Sequence, residues 1–143
     1  MPPDLRPFQP SDYPAALALW QSTPGIGLGE SDKREAIEAF LARNPGLSFV
    51  ACEDGEILGT ILCGHDGRRG LIHHLVVAPS HRRTGLGRRL LGSALGALGE
   101  TGIIKCHLVV FKTNPDGLAF WRAMSATERT ELALFSLATE HAG

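Results

Sequence analysis

The stretch LVVAPSHRRTGLGRRLL, Leu75 to Leu91, decides the fold. It reads as an apolar strand, a short polar loop and an amphipathic helix. Its centre is RRTGLG, Arg82 to Gly87. The first amides of a helix have no intrahelical partner, and the helix dipole adds positive potential there. Gly85 and Gly87 let backbone amides approach a ligand with no Cβ in the way. Arg82, Arg83, Arg88 and Arg89 add charge on both sides. The pattern suits a diphosphate. Other phosphate motifs fit less well. The GK[ST] of a P-loop does not occur. A dinucleotide fingerprint needs a third glycine at the place held by Leu90. There is no GxSxG elbow and no HExxH pair.

The charge around this stretch points the same way. The 143 residues carry a formal net charge of −1, but it is segregated. Residues 1–66 hold ten acids against four bases; residues 67–99 hold six arginines and no acid. An arginine-only segment in a near-neutral chain marks a local anion site, although a solvated basic face has the same charge. Lysine is scarce and no aromatics interleave the arginines, so a nucleic-acid surface is not expected. Hydrophobic residues make up 43% and charged residues 20%, which excludes a disordered chain. No run of about 18 apolar residues occurs, so no membrane span is expected. The opening MPPDLRPFQP has no apolar signal region. Cys52, Cys63 and Cys106 sit in apolar runs without a CxxC pair. They read as reduced core residues of a cytoplasmic protein, with no metal site. The length is that of one domain, residues 1–143.

Outward from the decisive stretch, the elements alternate. Leu5 to Phe8 reads as an edge strand, since Pro7 is tolerated there. Ser11 or Asp12 caps a helix to about Gln21. The loop Thr23–Glu30 follows, rich in glycine, and Ser31 caps a second helix that Pro45-Gly46 stops. Leu47–Glu53 and Glu56–Cys63 flank Asp54-Gly55, a strong hairpin signal. Leu71–Ala78 is the next strand, and Gly85–Glu100 the helix after the cradle. Ile103–Phe111 is a strand parallel to Leu71–Ala78 through a right-handed crossover. Asn114 caps and Pro115 opens a last helix. Arg129–Leu137 reads as a final strand. The expected class is α/β with a mixed sheet, in the order β-α-α-β-β-β-α-β-α-β.

R-x-x-G-x-G, between a strand ending in LVVAP and an amphipathic helix, resembles the acetyl-CoA motif of the GNAT family of N-acetyltransferases. LRPFQPSDYP resembles that family's opening strand and helix, CEDGEILGTILCG its hairpin, and NPDGLAFWRAMSATER its C-terminal block. The resemblance implies a sheet splayed between the fourth and fifth strands. It implies that amides from Arg83 through Thr84, Gly85, Leu86 and Gly87 to Arg88 cradle the CoA pyrophosphate, with Arg82 at the motif's first position. The backbone of Leu75, Val76 and Val77 would pair with the pantetheine arm, and Asn114 would lie near it. The activity implied is acetyl transfer from acetyl-CoA to a primary amine of a small molecule or peptide. A non-catalytic acyl-CoA-binding domain is the alternative. A homodimer through the C-terminal strand is compatible with the family.

Such a reaction needs a base for the amine and a donor for the oxyanion. The Val76 amide is the expected donor. His73 is the expected base, because relatives often carry Glu or His there and an imidazole titrates near neutrality. Strand alternation sends His73 and His74 to opposite faces, so only one should face the cleft. Trp121 stands where the family's Tyr acid is usual, and an indole N–H cannot serve as that acid. Ser125 and Ala126 stand where Gly and Phe are common. The acidic N-terminal part, with Glu30 and Asp32, is expected to favour a cationic amine. His65 is a further candidate for substrate contact.

Overall fold

The computed structural model describes residues 2–139. Five strands form one sheet in chain order: β1 (Asp4–Pro7), β2 (Phe49–Glu53), β3 (Glu56–His65), β4 (Gly70–Val77) and β5 (Cys106–His107). The first four are antiparallel neighbours, and β5 runs parallel to β4. The helices are α1 (Tyr13–Gln21), α2 (Arg34–Arg43), α3 (Leu86–Glu100) and α4 (Pro115–Ala123).

The β2–β3 hairpin turns at Asp54 and Gly55, with φ of 53° and 77°. Two left-handed central residues match the right-handed strand twist, as the Asp-Gly signal predicts. Strand β3 is buried almost end to end. Its successive side chains face opposite sides of the sheet. Gly59 faces Leu90 and Leu86 of α3, while Thr60 accepts a hydrogen bond from Trp20 Nε1 of α1 at 2.9 Å. Helices α1 and α3 therefore cover opposite faces, and the core includes Trp20, Val50, Ile61, Leu86 and Leu90.

The C-terminal third departs from expectation. The strand predicted over Ile103–Phe111 pairs only at Cys106 and His107. The strand predicted over Arg129–Leu137 does not form. A strand needs a neighbour to receive its backbone hydrogen bonds. Because β5 leaves the ladder after two residues, it offers no continuous edge for a sixth. Ile104, Val109, Leu134, Phe135 and Leu137 stay exposed as a result. The edge expected to carry a homodimer is thus not a formed strand. Ser31 also does not cap α2; it lies inside a 3-10 turn, Glu30–Asp32, and α2 starts at Arg34.

Candidate active site

The β4–β5 ladder holds at Gly70↔Cys106 and Leu71↔His107, then opens. A cavity of about 670 Å³ lies in the opening. One wall is β4 from Ile72 to Leu75. The other is Leu108 to Phe111. Gly25 to Gly27, Ile37, Phe40, Asn114, Phe120 and Trp121 complete the lining, with Gly25 against Asn114 and Gly27 against Phe111.

Hydrogen-bond direction along β4 decides which backbone groups face this opening. Ala78 N donates to Leu58 O of β3 at 2.8 Å. Backbone groups alternate in direction along an antiparallel ladder. The Val76 amide, paired opposite Thr60, therefore also faces β3. The Leu75 and Val77 amides face the opening. Arg82 Nε donates to Val77 O at 3.3 Å, which agrees with an outward-facing Val77 carbonyl. The expectation of Val76 as oxyanion donor is corrected: its amide serves the ladder and its side chain is buried. The Leu75 amide faces the opening instead.

Simple alternation fails at the histidines. Thr60 pairs with Val76 and Leu62 with His73, so Ile61 alone stands opposite both His74 and Leu75. His74 takes a φ of 46°. This is a β-bulge, which bends the strand and re-aims side chains. It lies just past the last β4–β5 pair, where the opening begins. Both His73 and His74 line the cavity, contrary to the expectation of one.

Their surroundings differ. The His73 ring meets Phe40 edge-on, with centroids 6.0 Å apart. Desolvation, and then the neighbouring His74, lower its pKa below the ordinary value. His74 is firmly held. Its Nε2 lies 2.6 Å from Asp32 Oδ1, and both side chains are 13% exposed. Its ring packs on Trp20 at 4.6 Å. Its carbonyl accepts from Thr60 Oγ1 at 2.8 Å. Asp32 is held in turn: Gly29 N donates to its Oδ2 at 2.8 Å, and the Tyr13 hydroxyl donates to its carbonyl at 2.6 Å.

Beyond β4 the chain forms the cradle. Arg83 and Gly85 have φ of 63° and 82°. Arg89 N is the first amide to bond back along the helix, to Gly85 O at 3.0 Å. The amides of Leu86, Gly87 and Arg88 precede it and have no intrahelical acceptor. Arg82, Arg83, Thr84 and Arg88 are exposed beside them. A left-handed residue ahead of free helix amides makes an anion-binding concavity. The two glycines have different jobs. Gly85 supplies the positive φ and has open space around it. A Cβ on Gly87 would lie 3.1 Å from Phe120, so Gly87 admits α4 against α3. His81 steadies the approach, with Nε2 3.1 Å from Glu53 Oε2.

The sequence matches the Acetyltransferase (GNAT) family over residues 13–125. The chain belongs to the GNAT acetyltransferase family. An acetyltransferase of Pectobacterium atrosepticum is 32% identical over 78% of each chain, and one of Photorhabdus laumondii is 32% identical over 78% of this chain and 77% of its own. Among solved structures, the PaiA N-acetyltransferase of Thermoplasma acidophilum in complex with coenzyme A is similar, with a TM-score of 0.75. That likeness covers 87% of this chain and 89% of that one, at 19% identity. An aminoglycoside acetyltransferase from an uncultured soil metagenomic sample, in complex with sisomicin, has a TM-score of 0.74 at 17% identity, over 96% of each chain. At those identities the two structures speak for the fold alone.

As a GNAT protein, the chain brings some expected residues together and separates others. Leu75, Asn114, Trp121, His73 and Asp32 meet at the cavity. Asn114 is a helix cap, its Oδ1 accepting from Gly117 N at 3.0 Å. Trp121 packs edge-on against Phe120. Glu30 does not line the cavity; it is exposed and paired with Lys33 at 2.7 Å. His65 is also outside it, its Nδ1 accepting from Gly67 N in the β3–β4 turn. The arginine-only segment is split as well. Arg68 and Arg69 sit in that turn, where their amides donate to Asp66. Strand β4, roughly 25 Å long at about 3.3 Å per residue, separates them from the cradle arginines. Sequence reasoning missed the apolar lining formed by Ile26, Ile37, Phe40 and Phe111, and the link from Asp32 to His74. The linked residues are 42 positions apart, with no local signal joining them.

Proposed function

We propose that the protein transfers the acetyl group of acetyl-CoA to a primary amine of a small molecule or peptide. The observation that carries this reading is the opening between β4 and β5, continuous along β4 with the amide cradle. The free amides of Leu86, Gly87 and Arg88 and the cradle arginines fit a pyrophosphate. The outward backbone of Leu75 and Val77 fits an extended amide-bearing arm as an added strand.

The residues then divide the reaction. The amine attacks the thioester carbonyl, and the Leu75 amide donates to the oxyanion that forms. The C–N bond forms as the C–S bond breaks. A thiol of pKa about 8.5, by analogy with cysteine, leaves readily as thiolate, so Trp121 need not supply a proton. Trp121 instead forms an apolar wall beside the reacting carbonyl.

The cavity's lining supports an amine carried on an apolar or aromatic body. Ile26, Ile37, Phe40 and Phe111 belong to it, and Asp32 is its one carboxylate. Several other acids of the N-terminal part are paired elsewhere: Asp12 with Arg6, Glu30 with Lys33, Glu38 with Arg34. Asp32 is itself bonded to His74 and Gly29, so the expected preference for cationic amines loses its support.

Incubation with acetyl-CoA and a panel of amines, read by release of free thiol, tests the reading. Thiol release dependent on amine, with a monoamine bearing an aryl or alkyl body preferred over a polyamine, is the expected result. CoA binding by calorimetry with no turnover on any amine would replace it with the non-catalytic alternative.

A further inference from the structure

Resting on that reading, we propose that His74, not His73, is the base that takes the proton of the acceptor amine, with Asp32 as its positioning residue. The argument starts from the backbone. A φ of 46° at a non-glycine residue inside a strand costs free energy, and such strain persists only where the surroundings over-determine it. They do so here. Thr60 holds the His74 carbonyl, Trp20 holds Thr60 and stacks against the ring, and Asp32 holds Nε2. Thr60 and Trp20 are fully buried. Three elements, β3, α1 and the 3-10 turn, thus fix one imidazole at the cavity wall.

The chemistry follows from that fixing. With Asp32 ionised, Nε2 carries the hydrogen and donates it to the carboxylate, which leaves the lone pair on Nδ1. Nδ1 has no hydrogen-bond partner among the described residues and is not sealed from solvent. A base oriented by a carboxylate, on a residue that lines the cavity and with its other nitrogen accessible, suits proton transfer. His73 lacks such an orienter: its ring meets Phe40 edge-on and the residue is otherwise exposed.

Two protons leave the nitrogen of an alkylammonium acceptor. His74 takes the first, which frees the lone pair for attack. The second goes to the departing thiolate or to water after the C–N bond has formed. The titratable and charged groups around His74 are few: Asp32 from the 3-10 turn, His73 from β4, and Tyr13 from α1, whose ring lies under Arg34 at 5.8 Å. The Asp32 carboxylate fixes the ring through Nε2, so its loss should leave the imidazole free to turn.

The test is the pH profile of kcat/KM for acetyl transfer to the best amine of the panel, with CoA affinity measured alongside. His74→Asn suits the site because Asn tolerates a left-handed backbone. It should lower kcat/KM by about 10²–10⁴-fold and remove the acid limb, with CoA affinity unchanged. Asp32→Asn should lower kcat/KM in the same direction, with CoA affinity unchanged. His73→Asn should keep the limb. The NMR signal of the His74 Nε2 proton, seen in the wild type and lost in Asp32→Asn, reads the same link without activity, and stands if His74→Asn does not fold. Wild-type turnover with an unchanged acid limb in His74→Asn, or a limb lost in His73→Asn, would overturn the dyad and leave acetyl transfer intact. No turnover by the wild type on any amine would overturn both.

Discussion

The two edges of β4 make opposite uses of one strand. Toward β3, its backbone groups pair from Gly70 to Val77 and its buried side chains join the core. Toward β5, two residues pair, and Ile72 to Leu75 line a cavity. The first edge is where hydrophobic burial and ladder hydrogen bonds stabilise the fold. The second leaves donors and acceptors free for a ligand. A single bulge at His74 separates the two regimes: it costs one ladder position on the β3 side and aims two imidazoles into the opening.

Substitutions can break this contrast at either edge. The largest stability effect belongs to the β3 side. Ile61→Ala, at a fully buried residue opposite the bulge, should cost about 2–5 kcal/mol in chemical denaturation. Phe111→Ala on the cavity side should change stability by less than about 0.5 kcal/mol, as surface changes usually do, and should raise the acceptor KM instead. Equal costs at the two positions would break the comparison.

A smaller effect is expected at the cradle. Gly85→Ala places a Cβ on a residue with φ of 82°. The left-handed conformation should cost roughly 1–2 kcal/mol, read as a lower melting temperature. As the cradle relaxes, CoA should bind more weakly. Unchanged CoA affinity would show that the amides after Gly85 are not the pyrophosphate site.

The smallest effect has the opposite sign. Ser125 follows α4 with a φ of 65°, and Ala126 N bonds back to Trp121 O at 3.0 Å. This is a helix terminus at which glycine is normally used. Ser125→Gly should stabilise the protein by about 1 kcal/mol, visible as a raised melting temperature. It should leave transfer rates alone, since Ser125 does not line the cavity. The departure from Gly at this position is thus a cost in local conformation, and no role for the hydroxyl is needed to account for it.

Acidity should act on stability through His73. The lowered pKa of His73 means that the unfolded chain binds the proton more readily. Its neutral form favours folding above the ordinary histidine value of 6.5, and stability should fall as the pH drops below it. Thermal melts across that range should show a smaller fall for His73→Asn.

Much of the fold was legible in the sequence, for local reasons. Asp54-Gly55 specified a turn because both residues tolerate positive φ. Asn114-Pro115 specified a helix start because one caps and the other needs no amide partner. RRTGLG specified free amides at the head of a helix. Each signal depends on residues close in the chain, so each survived folding unchanged. The reading failed where a neighbour distant in sequence decides. Ile103–Phe111 and Arg129–Leu137 have strand-like side chains, but a strand forms only against a partner that is itself in place.

The sequence by itself determined the α/β order through β4 and α3, the hairpin, the helix caps and the anion cradle. Tertiary structure alone decided which amides of β4 stay free, which histidine is gripped, and that Asp32 serves His74. The physical reason is that hydrogen-bond direction and side-chain parity are properties of a paired strand. One extra residue in the pairing reverses them, and no composition or spacing records where that residue falls.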